Sequence, residues 1–217
     1  MDARLDPALK IAEFLLQIKA VKLSPSKPYT WASGWKSPIY CDNRKTLSYP
    51  AVRTYIRQQF VETIEREFSR PDLIAGVATG GIALGALVAH EMGLPFVYVR
   101  SSAKGHGMEN LVEGDLGQGH SAVVIEDLVS TGKSSLNAAR ALREAGCEVK
   151  GMVSIFTYGF DVATKAFEKE KVKLHALTDY NTLLEQAMRD EYITEKDLTS
   201  LNEWRADPSQ WNNPVSA

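Results

Sequence analysis

The sequence predicts an open, mostly parallel, twisted α/β sheet with helices on both faces, plus a small N-terminal subdomain. Three observations point there. From residue 72 onward, short continuous apolar runs alternate with helix-length segments: Leu73–Val77, Phe96–Val99, Val123–Ile125 and Val149–Phe156 are the clearest. Unbroken apolar runs of this length suit strands buried on both faces, and the intervening helices are the crossovers that parallel strands need. The 217 residues, 44% hydrophobic and 24% charged, suffice for one sizeable core and argue against disorder. No repeat, low-complexity tract or linker divides the chain, which is read as one compact domain with three parts: 1–70, 71–180 and 181–217.

Taken in order, Asp6 can cap a first helix with Pro7 in its first turn, and Ile11, Phe14, Leu15 and Ile18 share one face. Ser24–Pro28 stops it. Tyr29–Thr30, a turn at Ser33–Gly34, and Ser37–Cys41 read as a small hairpin. A second helix is expected from Ser48, with Pro50 in its first turn and Val52, Ile56, Phe60 and Ile64 facing the core. In the central part, helices are expected over Ile82–Met92, Lys133–Ala145 and Asp161–Lys169, with a last strand over Val172–Leu177. Two helices should fill Leu183–Trp204. In such sheets ligands gather beyond the carboxyl ends of the strands, so the segments after Val77, Val99 and Ile125 are where chemistry is expected.

Composition removes several function classes. A formal net charge of −2 gives no basic footprint for nucleic acid. No apolar run approaches the roughly 18 residues that a membrane helix needs. Cys41 and Cys147 make no disulfide framework, and nothing before them reads as a secretory signal. Two reduced thiols in a cytoplasmic protein are expected.

The most informative stretch is Val123–Ser135, with sequence VVIEDLVSTGKSS. It reads as a buried strand, two acids at its exit, and a turn of small residues opening a helix. Unpaired N–H groups and the helix dipole attract an anion there, Gly132 lets the backbone approach closely, and the hydroxyls of Ser130, Thr131 and Ser134 add donors. An ordinary capped turn needs one small polar residue; this one has several. A Walker loop fits Gly132-Lys133-Ser134 but demands glycine where Asp127 stands. Two acids beside a phosphate site suit a sugar diol, a metal or a developing positive charge.

Those thirteen residues resemble the signature of type I phosphoribosyltransferases. The resemblance implies that Glu126 and Asp127 hold the ribose hydroxyls of phosphoribosyl pyrophosphate. It assigns the 5-phosphate to Ser130, Thr131, Gly132, Lys133 and Ser134. A second segment, Arg100-Ser-Ser-Ala-Lys104-Gly-His106-Gly107, opens a long Gly-rich stretch that reads as a mobile loop. Cations aimed at pyrophosphate would stabilise its departure, and closure would exclude water. Its Arg-x-x-x-Lys-x-His-Gly spacing resembles the catalytic loop of orotate phosphoribosyltransferases. In that family the loop (here 100–117) acts in trans across a homodimer, which makes Arg100, Lys104 and His106 pyrophosphate ligands. Ser101 stands where many members carry a second Lys, so less charge is available.

Tyr29–Tyr40, with its Ser-Gly-x-x-Ser-Pro core, resembles the N-terminal hood that covers the base in the same enzymes. The resemblance implies base contacts from Tyr40, Ile39, Ser130 and Tyr158, with the Tyr40 ring stacking. Ala32 and Tyr158 replace cations that hold the orotate carboxylate in well-known members, leaving Arg44, Lys36 or backbone N–H groups for that task. Thr79 and Gly80, in a tight Ala78–Gly81 nest, suit pyrophosphate; many members have Lys at the position of Gly80.

The activity implied is transfer of ribose 5-phosphate from phosphoribosyl pyrophosphate to orotate, giving orotidine 5-phosphate and pyrophosphate in pyrimidine biosynthesis. The catalytic set would be Lys104, His106, Arg100 and Asp127. Mg²⁺ would be carried by the substrate's pyrophosphate and ribose hydroxyls rather than by a protein cage. Two other readings stay open: transfer to a purine or another base, and a non-catalytic nucleotide sensor on the same fold.

Overall fold

Asp6 opens the described part of the chain: its carboxylate accepts the Ala8 N–H at 2.9 Å, and Pro7 starts helix α1 (Pro7–Gln17). The structure is a computed structural model and describes residues 6–30, 36–101, 111–117 and 120–211. Contacts group the chain into two compact units, Met1–Thr46 with Thr178–Ala217, and Leu47–Leu177. The boundaries thus fall elsewhere than at residues 70 and 180, and the second helix groups with the central segment.

The first unit holds α1, four short strands and two C-terminal helices. Strand β1 (Val21–Leu23) pairs with β4 (Ile39–Cys41), and β2 (Tyr29–Thr30) pairs with β3 (Lys36–Ser37), both antiparallel. The sequence suggested one hairpin. Pro38, which has no N–H to donate, separates β3 from β4, and its carbonyl instead accepts the Ser24 N–H at 2.7 Å. Helix α6 (Tyr180–Arg189) packs on α1, and α7 (Glu195–Ala206) carries a capping box between Thr194 and Asp197. Ile11, Leu15, Tyr180, Leu184, Leu201 and Trp204 form the interior. The helix-1 face includes Ala12 and Leu16 in place of Phe14 and Ile18, which are half-buried.

In the second unit, helix α2 runs Pro50–Glu67, two residues later than expected, because Asn43–Ser48 takes a 3₁₀ turn closed by the Thr46 hydroxyl on the Asn43 carbonyl. Val52, Ile56, Phe60 and Ile64 are all buried. The strands that follow are β5 (Leu73–Val77), β6 (Phe96–Val99), β7 (Val112–Glu113), β8 (Ser121–Val129), β9 (Glu148–Thr157) and β10 (Leu174–Asp179). Their order in the sheet is β10-β9-β8-β5-β6-β7. Pairs β5–β6, β5–β8 and β8–β9 are parallel, and β6–β7 is antiparallel. Helix α4 (Lys133–Glu144) and α5 (Asp161–Lys169) cover one face through Leu136, Leu142 and Phe167. Helix α3 (Gly80–Met92) lies on the face of Gly76, so both faces are covered.

Three differences from the sequence reading concern the site. The stretch after Val99 contains a strand, β7. Strand β8 does not end at the acids but continues through Leu128 and Val129, which pair with Phe156 and Thr157. The last strand begins at Leu174 rather than Val172, because the Val172 N–H folds back to the Phe167 carbonyl (3.0 Å) behind a left-handed Lys171.

The order places β6 on one side of β5 and β8 on the other, so the chain reverses direction at β5. Crevices at such reversals, beyond the strand ends, are where open α/β sheets bind ligands. Pairing of β5 with β8 stops at Gly76–Ile125, whereas β8 stays paired with β9 to Val129. The two central strands therefore part where the acids begin.

Candidate active site

The turn from Ser130 to Gly132 joins β8 to α4. Gly132 is the N-cap residue of α4 at φ 79°, ψ 0°, a left-handed conformation that suits glycine, and a Cβ there would come within 2.8 Å of the Phe167 ring. A glycine cap brings no side chain to accept the first-turn N–H groups. Helices α1, α6 and α7 have theirs accepted by Asp6, Asp179 and Thr194; α2, α3, α4 and α5 have no side-chain cap, and of these α3 and α4 meet the strand ends at the crevice. Those donors and the positive end of the helix are offered to a ligand.

A cavity of about 490 Å³ opens over this turn, a volume usual for small-molecule sites. Ser130, Thr131, Gly132, Lys133 and Ser134 line it together, with Val77 at the end of β5, Ala78 just after it, and Arg100 and Ser101 beyond β6. Asn137 also lines it and was missed. It sits one turn after Lys133, and that i, i+4 spacing on a helix is the signal that could have found it. Arg100 is held on both sides: its N–H donates to the Leu111 carbonyl at 2.8 Å, and its guanidinium lies 3.4 Å from Glu113 on β7. Glu113 was also missed, since a two-residue strand in a Gly-rich stretch leaves no periodic trace.

The two acids differ in depth. Asp127 is half-buried, and its carboxylate rests against Gly80, the first residue of α3; any side chain at Gly80 would overlap it. Glu126 is only 4% exposed and turns inward. Its Oε2 accepts the Ser135 hydroxyl at 2.9 Å and its Oε1 accepts the Asp127 N–H at 3.0 Å. Burial, then the charge of Asp127, pushes the Glu126 carboxyl well above the usual carboxylate range. Neither acid is among the residues lining the cavity.

The remaining expected residues are distributed as follows. Thr79 is exposed beside Gly80, after a cis peptide linking it to Ala78. Lys104 and His106 lie outside the described residues, as does Ala32. Tyr158, expected at the base, is 3% exposed and stacked on Phe160 with centroids 5.3 Å apart, Phe156 meeting it edge-on. Its side chain is committed to the interior because β9 runs to Thr157 and carries the ring inward. In the first unit, Tyr40 is 41% exposed beside Tyr29, and Ile39 is fully buried, so it offers a ligand backbone rather than side chain. Arg44 pairs with Asp42, and Lys36 donates to the Thr30 hydroxyl.

Among the described residues, no group of three or more His, Cys, Asp or Glu side chains could hold a metal ion, and no helix is long and apolar enough to cross a membrane.

Comparison with known proteins bears on the family and the fold. The family model for the phosphoribosyl transferase domain matches residues 47–182. The orotate phosphoribosyltransferase of Bacteroides fragilis is 58% identical over 200 residues, covering 92% of this chain and 94% of that protein. The crystal structure of orotate phosphoribosyltransferase from Aeropyrum pernix matches with a TM-score of 0.74 at 28% identity, covering 85% of this chain and 99% of the other. The structure of Leishmania donovani UMP synthase matches with a TM-score of 0.75 at 27% identity; 91% of this chain is covered, and the chain spans 42% of that protein.

Proposed function

The chain belongs to the phosphoribosyl transferase family, and from that premise we propose that it transfers ribose 5-phosphate from phosphoribosyl pyrophosphate to orotate. In this reaction the bond from the anomeric carbon to pyrophosphate breaks and a bond to the base nitrogen forms. The observation that carries the reading is the glycine-capped turn Ser130–Ser134, which lines a cavity of suitable size and whose helix start has no side-chain cap.

The 5-phosphate occupies that turn. Asp127 faces the ribose hydroxyls, and its negative charge favours the cation-like anomeric carbon. Arg100, fixed by Glu113, faces the departing pyrophosphate, joined by Lys104 and His106 from a second copy of the chain in a homodimer. The base is assigned to the exposed Tyr40 ring. Orotate is already anionic at the attacking nitrogen, so no strong general base is required.

A magnesium ion carried by the substrate would find its hard oxygen ligands on pyrophosphate and the sugar diol. When bound, such an ion would neutralise charge on the leaving group.

The test is a base panel. The protein is incubated with phosphoribosyl pyrophosphate and Mg²⁺ and with orotate, uracil, adenine, hypoxanthine or xanthine, and pyrophosphate release is followed. Release with orotate alone, abolished by a chelator, is expected. No release with orotate, or release with a purine in its place, overturns the assignment.

A further inference from the structure

Asn137 has no part in the chemistry above, yet it lines the phosphate cavity. Lys133, Ser134, Asn137 and Ala138 do so together, and their i, i+1, i+4, i+5 spacing makes them one face of α4. What sets Asn137 apart is the use of its two polar ends. Its Oδ1 accepts from Nη1 of Arg140 at 2.6 Å. Arg140 is anchored in turn: its Nε and Nη2 both donate to Oε1 of Glu170, the C-cap residue of α5, at 3.0 and 2.9 Å. Those bonds are the first cause holding the Glu170 carboxyl below the usual carboxylate range. A guanidinium only donates, so the end of the amide that it binds must be the carbonyl. The Asn137 NH₂ group, with two N–H donors, has no hydrogen-bond partner among the described residues. An i, i+3 pair on a helix surface accounts for the carbonyl and leaves two donors unspent on the cavity wall.

We propose that Asn137 is a further binding residue for the substrate's 5-phosphate, its side-chain N–H donating to a phosphate oxygen, and that Arg140 is a positioning residue that fixes which end of the amide the cavity receives. This rests on the phosphate-turn reading above. A phosphate monoester carries three strong acceptor oxygens, so it has room for a donor beyond those of the turn. Arg140, tied to Glu170, holds the carbonyl and keeps the donor end for the ligand. Without Arg140 either end of the amide can meet the phosphate, and the carbonyl end repels it. The 5-phosphate is remote from the anomeric carbon, where bonds change. A contact to it strengthens ground state and transition state alike, and so appears in KM rather than in kcat.

The experiment compares the full-length protein with Asn137→Ala, Asn137→Asp, Arg140→Ala and the Asn137→Ala, Arg140→Ala double variant. Calorimetry gives the Kd for ribose 5-phosphate and, with Mg²⁺, for inorganic pyrophosphate; initial rates give kcat and KM for phosphoribosyl pyrophosphate; a thermal melt checks folding. Asn137→Ala should raise the ribose 5-phosphate Kd and the KM by about 5- to 20-fold, the lower part of the range for a hydrogen bond to a charged group because the residue is exposed. Its kcat and its pyrophosphate Kd should stay within about twofold. Asn137→Asp keeps an acceptor for Arg140 but sets a carboxylate beside the phosphate, so its ribose 5-phosphate Kd should rise at least about fivefold further, with no fall in melting temperature. Arg140→Ala should raise the same Kd by about two- to fivefold, and the double variant should be no worse than Asn137→Ala within about twofold, since Arg140 acts through the amide. The proposal is overturned if Asn137→Ala binds ribose 5-phosphate as the wild type does, if its loss falls on pyrophosphate instead, or if the two single losses multiply in the double variant. Wild-type protein that fails to bind ribose 5-phosphate overturns the phosphate turn along with it. Because this binding requires no base, failure of orotate in the base panel is a separate result.

Discussion

Replacing Gly80 with alanine should separate activity from stability. Gly80 is the first residue of α3, and a Cβ there would coincide with the Asp127 carboxylate. Two small effects on stability oppose each other. Alanine in a helix is favoured over glycine by up to about 1 kcal/mol. Asp127, only half-buried, must rotate away, at about 0.5–1.5 kcal/mol for a poor rotamer. The net change is within about 1 kcal/mol, a melting-temperature shift of a few degrees at most. Catalysis has no such compensation. If Asp127 makes one charge-assisted hydrogen bond to a ribose hydroxyl, losing it removes about 1.5–3 kcal/mol, or about 10- to 100-fold in kcat/KM for phosphoribosyl pyrophosphate. The assay is initial-rate kinetics beside a thermal melt on the same preparation. Full kcat/KM in Gly80→Ala would refute the placement of Asp127 on the sugar. A melt lowered by more than about 10 °C would show instead that the alanine could not be accommodated.

Two further outcomes are expected. Lys104→Ala should lower kcat by about 10²- to 10³-fold, the usual worth of one group stabilising developing charge, with little change in melting temperature; near-normal turnover would remove Lys104 from the leaving-group role. The Asp72 carboxylate accepts the Ser121 N–H and hydroxyl, both at 2.8 Å, and these bonds, backbone first, hold its carboxyl below the usual range. A depressed folded-state value stabilises above the unfolded carboxylate pKa of about 3.9 and loses that stabilisation as pH falls through the folded value. Asp72→Asn should therefore lower the urea midpoint at pH 7, with the deficit closing as pH is brought towards 3; a deficit independent of pH refutes the linkage.

How far the sequence was legible depended on how repetitive each signal was. Leu73–Val77 could be read because five successive apolar residues admit few environments, and α2 because Val52, Ile56, Phe60 and Ile64 recur at helical spacing. Val112–Glu113 was illegible because two residues carry no period, and with it went the partner of Arg100. The phosphate turn was legible as chemistry, since small residues, glycine and hydroxyls cluster there for local reasons. The direction of Glu126 was not. Charge next to charge suggested two acids facing one ligand, but on a strand successive side chains point to opposite faces. Strand β8 continues through Val129 in pairing with β9, and along it Glu126 is buried while Asp127 is half-buried, a difference in depth that two adjacent letters do not reveal. Tyr158 misled for the same reason: its burial follows from where β9 ends, which no local pattern reveals.

The parting of β5 from β8 has a consequence for how such a protein can diversify. The opening arises where backbone pairing lapses, after Gly76 and Ile125, and not where interior side chains have been cut back. The packed layers beneath it are left whole. New specificities can then be written into the segments that rim the gap, while the structural foundation inherits none of the damage.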